Sequence, residues 1–274
     1  VEAMALDISQ AANAVESHTM VKAAKSGEDL KDCEVIVITA GIPRKPGMSR
    51  DDLLLTNAKI MQAVLEDIKK YAPNSKIIIV SNPLDAMVYA ALKILKFPRE
   101  QVIGMAGILD SARMSHFICE KLGYGAGQIE SSVMGGHGDA MVPLVNYSTV
   151  AGVSLPELLS KEDIEDIVTK TKNGGLQIVK LLETGSAYYA PAHATSLMVE
   201  AILHNTRKIY PCSVMLDGEY DCKNVVSGVP VMLGSNGIEK IIELKLNEEQ
   251  KELFANSVAS VQELIDTLDE KFFI

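Results

Sequence analysis

Short runs of apolar, largely β-branched residues alternate with helical patterns along the first part of the chain. The runs lie at 34–40 (EVIVITA), 76–80 (KIIIV) and 102–104 (VIG), and amphipathic helices are predicted at about 51–71 and 86–95. A strand that is apolar on both faces is typical of a parallel sheet with helices on either side, because each parallel crossover is usually a helix. The alternation therefore predicts an α/β fold built on a parallel sheet.

The second half of the chain mixes long helices with short alternating strands. Its predicted helices lie at 108–122, 161–182, 187–205 and 248–272, and its predicted strands at 129–134, 212–216, 225–232 and 237–244. This mixture predicts an α+β unit that follows the parallel-sheet unit, with the junction near 104–107. We therefore expect two domains, residues 1–104 and 105–274, and a helix at 1–14 at the start of the first.

Composition excludes some classes of partner. The 274 residues include 26 Lys and Arg against 36 Asp and Glu, and no basic stripe is present, so we expect no nucleic-acid partner. No apolar run approaches the ~20 residues that span a bilayer, so we expect no membrane partner. The cysteines lack the paired spacing of a metal site, which favours a reduced, cytoplasmic protein; they are Cys33, Cys119, Cys212 and Cys222.

Polar segments follow the predicted strands, at the edge where open parallel sheets bind their ligands. The first is the loop at 41–50 (GIPRKPGMSR), which combines glycines and prolines with cations. The second is Asn82-Pro83, where the proline fixes the backbone beside an amide side chain. An ordinary solvated loop and a simple turn are the alternative interpretations of these two segments.

A third polar group combines Asp110 and Arg113 with His137. Asp110 and Arg113 are three residues apart at the start of a predicted helix, so they share a face. His137 lies in Gly-Gly-His-Gly-Asp, a setting that suits a histidine open to a ligand. The alternatives are a helix-start carboxylate and a structural histidine. A hydrolase is disfavoured because the sequence contains no GxSxG nucleophile elbow.

The order and the residue content of four motifs together carry more information than any one motif alone. TAGIPRKPGMSR, SNPLDAM, GILDSAR and MGGHGDAMVPL closely resemble the successive motifs of the lactate/malate dehydrogenase family. The resemblance extends from the first residues to the C-terminal helix, and GIPRKPGMSR with MGGHGD is similar to the malate-specific branch of the lactate-dehydrogenase-like type. It implies a Rossmann-like dinucleotide-binding domain over residues 1–104 and a catalytic domain over 105–274.

The resemblance also implies roles for the polar residues. His137 is the proton donor and acceptor, since an imidazole titrating near neutrality can supply the proton that a developing alkoxide needs. Asp110 orients that ring and stabilises its imidazolium form. Arg113 binds the C1 carboxylate of the substrate with a bidentate fork. Arg50 polarises the reacting carbonyl from a loop that closes over the substrate.

Arg44 decides the expected substrate. Lactate dehydrogenases have an uncharged residue at the matching position, whereas an arginine there offers a counter-charge to a second carboxylate. The resemblance therefore implies malate and oxaloacetate as substrates, because an unpaired arginine in a closed site would penalise lactate. A lactate or other 2-hydroxyacid dehydrogenase is the alternative within the same class of enzyme.

NAD is the cofactor that the resemblance implies. The cofactor-side residues are then Gly41, Asn57, Val80, Ser81 and Asn82, with Asn82 also bonding the substrate oxygen. Family members act as dimers or tetramers, so a homodimer or homotetramer is expected. A place in the tricarboxylic acid cycle is expected as well.

The sequence departs from the family pattern at its beginning. No GxGxxG occurs in the chain, and about forty residues are missing relative to the family, including the strand and turn that should bind the pyrophosphate. A chain that lacked this segment is expected to bind NAD poorly and to be nearly inactive. A catalytically silent binding or assembly protein is the alternative from another class of function.

Overall fold

The computed structural model describes residues 1–43 and 47–274. The α-helices are α1 (Glu2–Ala14), α2 (Arg50–Tyr71), α3 (Leu84–Leu95), α4 (Gly107–Leu122), α5 (Leu155–Leu158), α6 (Lys161–Leu182), α7 (Tyr189–Leu203) and α8 (Glu248–Lys271). The strands are β1 (Val35–Ile38), β2 (Lys76–Ile79), β3 (Val102–Gly104), β4 (Ile129–Glu130), β5 (Val133–Met134), β6 (Val142–Pro143), β7 (Thr149–Val150), β8 (Val153–Ser154), β9 (Ile209–Asp217), β10 (Lys223–Gly234) and β11 (Gly237–Ile241). Within these residues, no helix is both long and apolar enough to cross a bilayer.

One six-stranded sheet runs through the protein in the order β1-β2-β3-β9-β10-β11. The strands β1, β2 and β3 are parallel, as the alternation of strands and helices predicts. The later strands β9, β10 and β11 continue the same sheet in antiparallel pairing, and β3 meets β9 where Gly104 pairs with Ser213. A Cβ atom at Gly104 would lie 2.8 Å from the Ser213 Cβ, so glycine permits this close pairing.

The two faces of β2 bury apolar side chains in different layers. Ile77 and Ile79 pack with Leu54 and Met61 of α2, whereas Ile78 packs with Met198 of α7. All three isoleucines are fully buried. Because side chains alternate across a strand, a run of consecutive isoleucines fills both layers at once. This packing places the carboxyl ends of β1, β2 and β3 along one edge of the sheet.

The prediction of one strand over 129–134 is wrong. Residues 129–130 form β4, which pairs with β7, and residues 133–134 form β5, which pairs with β6 in another sheet. Side chains interrupt the run between the two strands: the Ser131 hydroxyl donates to the Ser111 carbonyl, and the Ser132 amide donates to the Ser148 hydroxyl. These bonds turn the backbone away from a continuous ladder.

An ion pair fastens the turn after β9 to the segment that leads into β3. The Arg99 Nη2 lies 2.8 Å from the Glu219 Oε1, and the Arg99 Nη1 donates to the Glu219 Oε2 at 3.1 Å. The hydrogen bond from Arg99 lowers the pKa of Glu219 from 4.5 to about 2, against the opposing effect of burial. Because the folded-state pKa is depressed, this carboxylate stabilises the protein above pH 4.5 and loses its contribution as pH falls toward 2.

Replacing Glu219 with glutamine should lower the free energy of unfolding at neutral pH by about 1–2 kcal/mol. The same change should flatten the loss of stability between pH 4.5 and about 2, because the titrating group is gone. Urea unfolding at a series of pH values measures both effects. Glu248→Gln is the control, since the Glu248 side chain is 91% exposed in its pair with Lys251. An acid limb of unchanged slope in Glu219→Gln would contradict the prediction.

Candidate functional site

A buried carboxylate joins a histidine to an arginine just beyond the end of β3. Asp110 lies in the first turn of α4, and Arg113 follows one turn later on the same face. The Asp110 Oδ2 lies 2.8 Å from the His137 Nδ1, and the Asp110 Oδ1 accepts from the Arg113 Nη1 at 3.1 Å. The Asp110 side chain is 2% exposed. The structure therefore brings together the three residues that the sequence groups.

The surroundings of His137 favour its protonated form. Burial alone would lower the pKa of His137, but the charge and hydrogen bond of Asp110, with a further contribution from Asp85, raise it above its usual value. The Arg113 cation acts in the opposite direction. An ionised Asp110 only accepts hydrogen bonds, so Nδ1 of His137 carries a proton. Nε2, which has no hydrogen bond within the described residues, is then the atom that can exchange a proton with a ligand.

Arg113 retains an unused donor. Its Nε is buried and, within the described part of the chain, has no hydrogen-bond partner. The guanidinium lies against a glycine pair of α6, where a Cβ at Gly175 would be 3.3 Å from Nη2 and one at Gly174 would be 3.3 Å from Cδ. A buried donor without a partner is costly, so the Arg113 fork retains unused capacity to donate hydrogen bonds.

Two side chains tie together the loops that follow β1 and β2. Asn57 of α2, 2% exposed, donates from Nδ2 to the Asn82 carbonyl at 2.7 Å, and its Oδ1 accepts from the Ile42 amide at 2.8 Å. The hydroxyl of Ser81 donates to the Ala40 carbonyl at 2.5 Å. These bonds hold the two strand ends side by side, at the edge where parallel sheets bind ligands.

The outer surface of these strand ends is open. Gly41 is exposed with φ +149°, and a Cβ there would lie 3.2 Å from the Asn57 side chain, so a larger residue would crowd the loop. Asn82 is exposed and joined to Pro83 by a cis peptide bond. Val80 is half-buried, and its amide donates to the Ile38 carbonyl. Gly41 and Asn82 thus leave backbone and amide groups exposed at this edge.

Arg50, at the start of α2, lies outside the hydrogen-bond network of Asp110, His137 and Arg113. Arg50 is exposed at the first residue of α2, and its side chain makes no ion pair or hydrogen bond within the described residues. Arg44 lies outside the described residues. The parts assigned to Arg50 and Arg44 therefore stay predictions from the sequence.

Sequence reasoning missed the residues that hold the backbone around His137. The His137 amide donates to the Asp85 Oδ2 at 2.8 Å, and the Ser213 hydroxyl donates to the Asp85 Oδ1 at 2.6 Å. The neighbouring Gly136 amide donates to the Ser257 hydroxyl at 2.7 Å. Asp85 belongs to the SNPLDAM motif, but an acid in the first turn of a helix is also an ordinary helix-start residue. The two serines carry no spacing signal.

Comparison with known proteins agrees with this geometry. Residues 1–104 match the lactate/malate dehydrogenase NAD-binding domain, and residues 108–272 match the alpha/beta C-terminal domain of the same family. The chain is 61% identical to a malate dehydrogenase of Aliarcobacter butzleri, covering 99% of this chain and 87% of the relative. It is 63% identical to one of Sulfurimonas denitrificans, covering 98% and 85%.

Solved structures of the same type superpose closely. A malate dehydrogenase of Cryptosporidium parvum, 40% identical, matches with a TM-score of 0.95 over 98% of this chain and 87% of that one. A lactate dehydrogenase of Eimeria maxima, solved with NADH and oxamate and 41% identical, matches with a TM-score of 0.92 over 98% and 84%. The two matched domains and the Asp110–His137–Arg113 cluster lead to one conclusion: the chain belongs to the lactate/malate dehydrogenase family.

Proposed function

We propose that the protein catalyses the reversible oxidation of malate to oxaloacetate with NAD as cofactor. The observation that carries the proposal is the buried Asp110 carboxylate, which joins His137, a proton-transfer group, to Arg113, an anion-binding group. The identity of 58–63% to curated malate dehydrogenases supports malate as the substrate.

The chemistry follows from the atoms left free in this cluster. Arg113 binds the C1 carboxylate through N–H groups of its fork that Asp110 does not use, which fixes the substrate's C2 hydroxyl beside His137. The Nε2 of His137 takes the hydroxyl proton, and Asp110 stabilises the imidazolium that forms. Bound NAD would supply the acceptor for the hydride that leaves C2. In the reverse direction the imidazolium returns the proton to the new alkoxide.

The ends of β1 and β2 fit the nicotinamide half of the cofactor. Gly41 and Asn82 offer exposed backbone and amide groups there. The side chains of Asn57 and Ser81 hold the loops after β1 and β2 in position through hydrogen bonds. Val80 supplies an apolar, half-buried side chain at the same edge. We assign these residues to the cofactor side of the site, where Asn82 also faces the substrate oxygen.

We assign Arg44 to the substrate's second carboxylate and Arg50 to the reacting carbonyl. Both assignments rest on the motif GIPRKPGMSR alone. A 2-hydroxyacid dehydrogenase for lactate is the second candidate, because the Asp110–His137–Arg113 cluster binds only the carboxylate that malate and lactate share. Lactate dehydrogenases that are 37–41% identical to this chain and superpose on it support this second candidate.

A steady-state comparison of oxaloacetate and pyruvate, following NADH oxidation, separates the two candidates. We expect kcat/KM to favour oxaloacetate, and Arg44→Gln to lower the oxaloacetate value by about 30-fold or more through loss of a desolvated charge pair. Lys45→Gln, which removes the adjacent cation, is the matched control and should change it little. Faster turnover of pyruvate by the unmodified protein would overturn the assignment to malate.

We also propose that the protein forms a homo-oligomer. Apolar side chains such as Leu181 (78% exposed) and Tyr189 (83% exposed), near the end of α6 and the start of α7, support a homodimer or homotetramer. Sedimentation equilibrium measures that state, and a monomer would contradict it.

Cysteines without disulfides in the described chain support a cytoplasmic location. The interconversion of malate and oxaloacetate supports a role in the tricarboxylic acid cycle.

A further inference from the structure

We propose that Asp85 is a positioning residue for the proton-transfer histidine, whose carboxylate anchors the His137 backbone and whose charge helps to keep the His137 ring protonated. This inference rests on the proposed function for its catalytic meaning. Its geometry, however, stands on contacts that involve neither substrate nor cofactor.

The first argument is the position of the Asp85 carboxylate. Asp85 lies in the first turn of α3 and is 4% exposed. One oxygen accepts from the His137 amide at 2.8 Å, and the other accepts from the Ser213 hydroxyl at 2.6 Å. A Cβ at Gly136 would lie 3.5 Å from the Asp85 Oδ2, so the carboxylate sits directly against the loop that carries His137.

The second argument is the state of that carboxylate. Burial raises the pKa of Asp85 above its usual value, and the hydrogen bonds from Ser213 and from the His137 amide offset only part of that rise. Both oxygens face donors, and a donor on each oxygen is the arrangement that suits the ionised form. A neutral amide or hydroxyl could also accept from the His137 N–H. Anchoring the backbone alone therefore does not require a carboxylate at this position.

The third argument is the charge balance of the cluster. Among the described residues, the charged groups with the largest effect on His137 are Asp110 and Arg113 from α4 and Asp85 from α3. The elements β9 and α8 present the uncharged hydroxyls of Ser213 and Ser257 to the same region. Two carboxylates against one guanidinium leave one negative charge, which a protonated imidazole neutralises. Asp85 therefore supplies the charge that makes imidazolium the balanced state.

Asp85→Asn tests this role because it removes the charge and keeps the contacts. The asparagine Oδ1 can accept from the His137 amide, and its Nδ2 can donate to the Ser213 Oγ. The readout is an NMR titration of protein with ¹³C-labelled histidine, without substrate or cofactor, in which the His137 signal is the one lost in His137→Asn. We expect the His137 titration midpoint to fall by about 1–2 pH units in Asp85→Asn.

Ser257→Ala is the matched control. It removes the other side-chain anchor of the same loop, the bond to the Gly136 amide, without altering any charge. Its midpoint should stay at the unmodified value, whereas a purely structural role for Asp85 would make both variants behave alike. Asp85→Ser, which is shorter and also neutral, gives a second measurement should the asparagine variant not fold, and it should show the same fall.

A midpoint for His137 that is unchanged or higher in the neutral variants would overturn the inference. Because the titration needs no turnover, it separates this inference from the proposed function. An unmodified protein that does not reduce oxaloacetate would refute the function but leave the titration result in force. In an active protein, the alkaline limb of kcat/KM for oxaloacetate should move to lower pH in Asp85→Asn by the same amount.

Discussion

Replacing His137 with asparagine is expected to lower kcat for oxaloacetate reduction by a factor of about 10²–10⁴, the usual contribution of a positioned acid or base. The asparagine amide can keep the hydrogen bond to Asp110, but it offers no group that releases a proton near neutral pH. KM should change less than kcat, because Arg113 still binds the C1 carboxylate. Steady-state rates at saturating NADH measure both constants.

His193→Asn is the control for this variant, since His193 is an exposed histidine on α7. It should retain the kcat of the unmodified protein. A His137→Asn protein with nearly full kcat would show that another group supplies the proton. A variant that lost only affinity would instead make His137 a binding residue.

Replacing Arg113 with lysine is expected to lower kcat/KM for oxaloacetate by about 30- to 1,000-fold, equivalent to about 2–4 kcal/mol. Lysine is a point charge on a flexible stem, so it cannot keep the bond to Asp110 and present a planar fork to a carboxylate as well. The main effect should fall on KM, because the lost contact exists before and during the reaction. Oxamate, an analogue of pyruvate that carries only the shared carboxylate, should lose affinity in parallel.

Arg99→Lys is a matched control because Arg99 also makes a forked contact with a carboxylate, that of Glu219, outside the site. It should reduce stability and leave kcat/KM for oxaloacetate unchanged. Equal kinetic losses in Arg99→Lys and Arg113→Lys would point to a general defect of folding. Unchanged oxaloacetate kinetics in Arg113→Lys would contradict the assignment of the C1 carboxylate to this residue.

The parallel half of the sheet was predictable because its signal is local. Three consecutive isoleucines at 77–79 fill layers on both sides of β2, and only a strand covered by helices requires that pattern. The pairing of Gly104 with Ser213 was not predictable, because residues far apart in the chain set it and neither has a distinctive pattern. The sequence therefore predicted the parallel strands, but not that β9, β10 and β11 continue the same sheet.

The same distinction applies to the site. His137, Asp110 and Arg113 are polar residues in an unusual local setting, so motif order was enough to group them. Asp85 resembles an ordinary helix-start acid, and its burial against the His137 amide arises only when α3 packs beside that loop. Ser257 likewise becomes an anchor only through the approach of α8.

The junction of β3 with β9 limits how this enzyme can be recombined. Asp85 comes from the region that matches one domain model, and Ser213 and His137 come from the region that matches the other. A chimaera that takes each region from a different relative inherits His137 from one parent and the Asp85 that contacts its amide from the other. If Asp85 has the proposed role, such hybrids keep their catalytic pH range only when the first region supplies the acid and the junction glycine and the second supplies the hydroxyl donor.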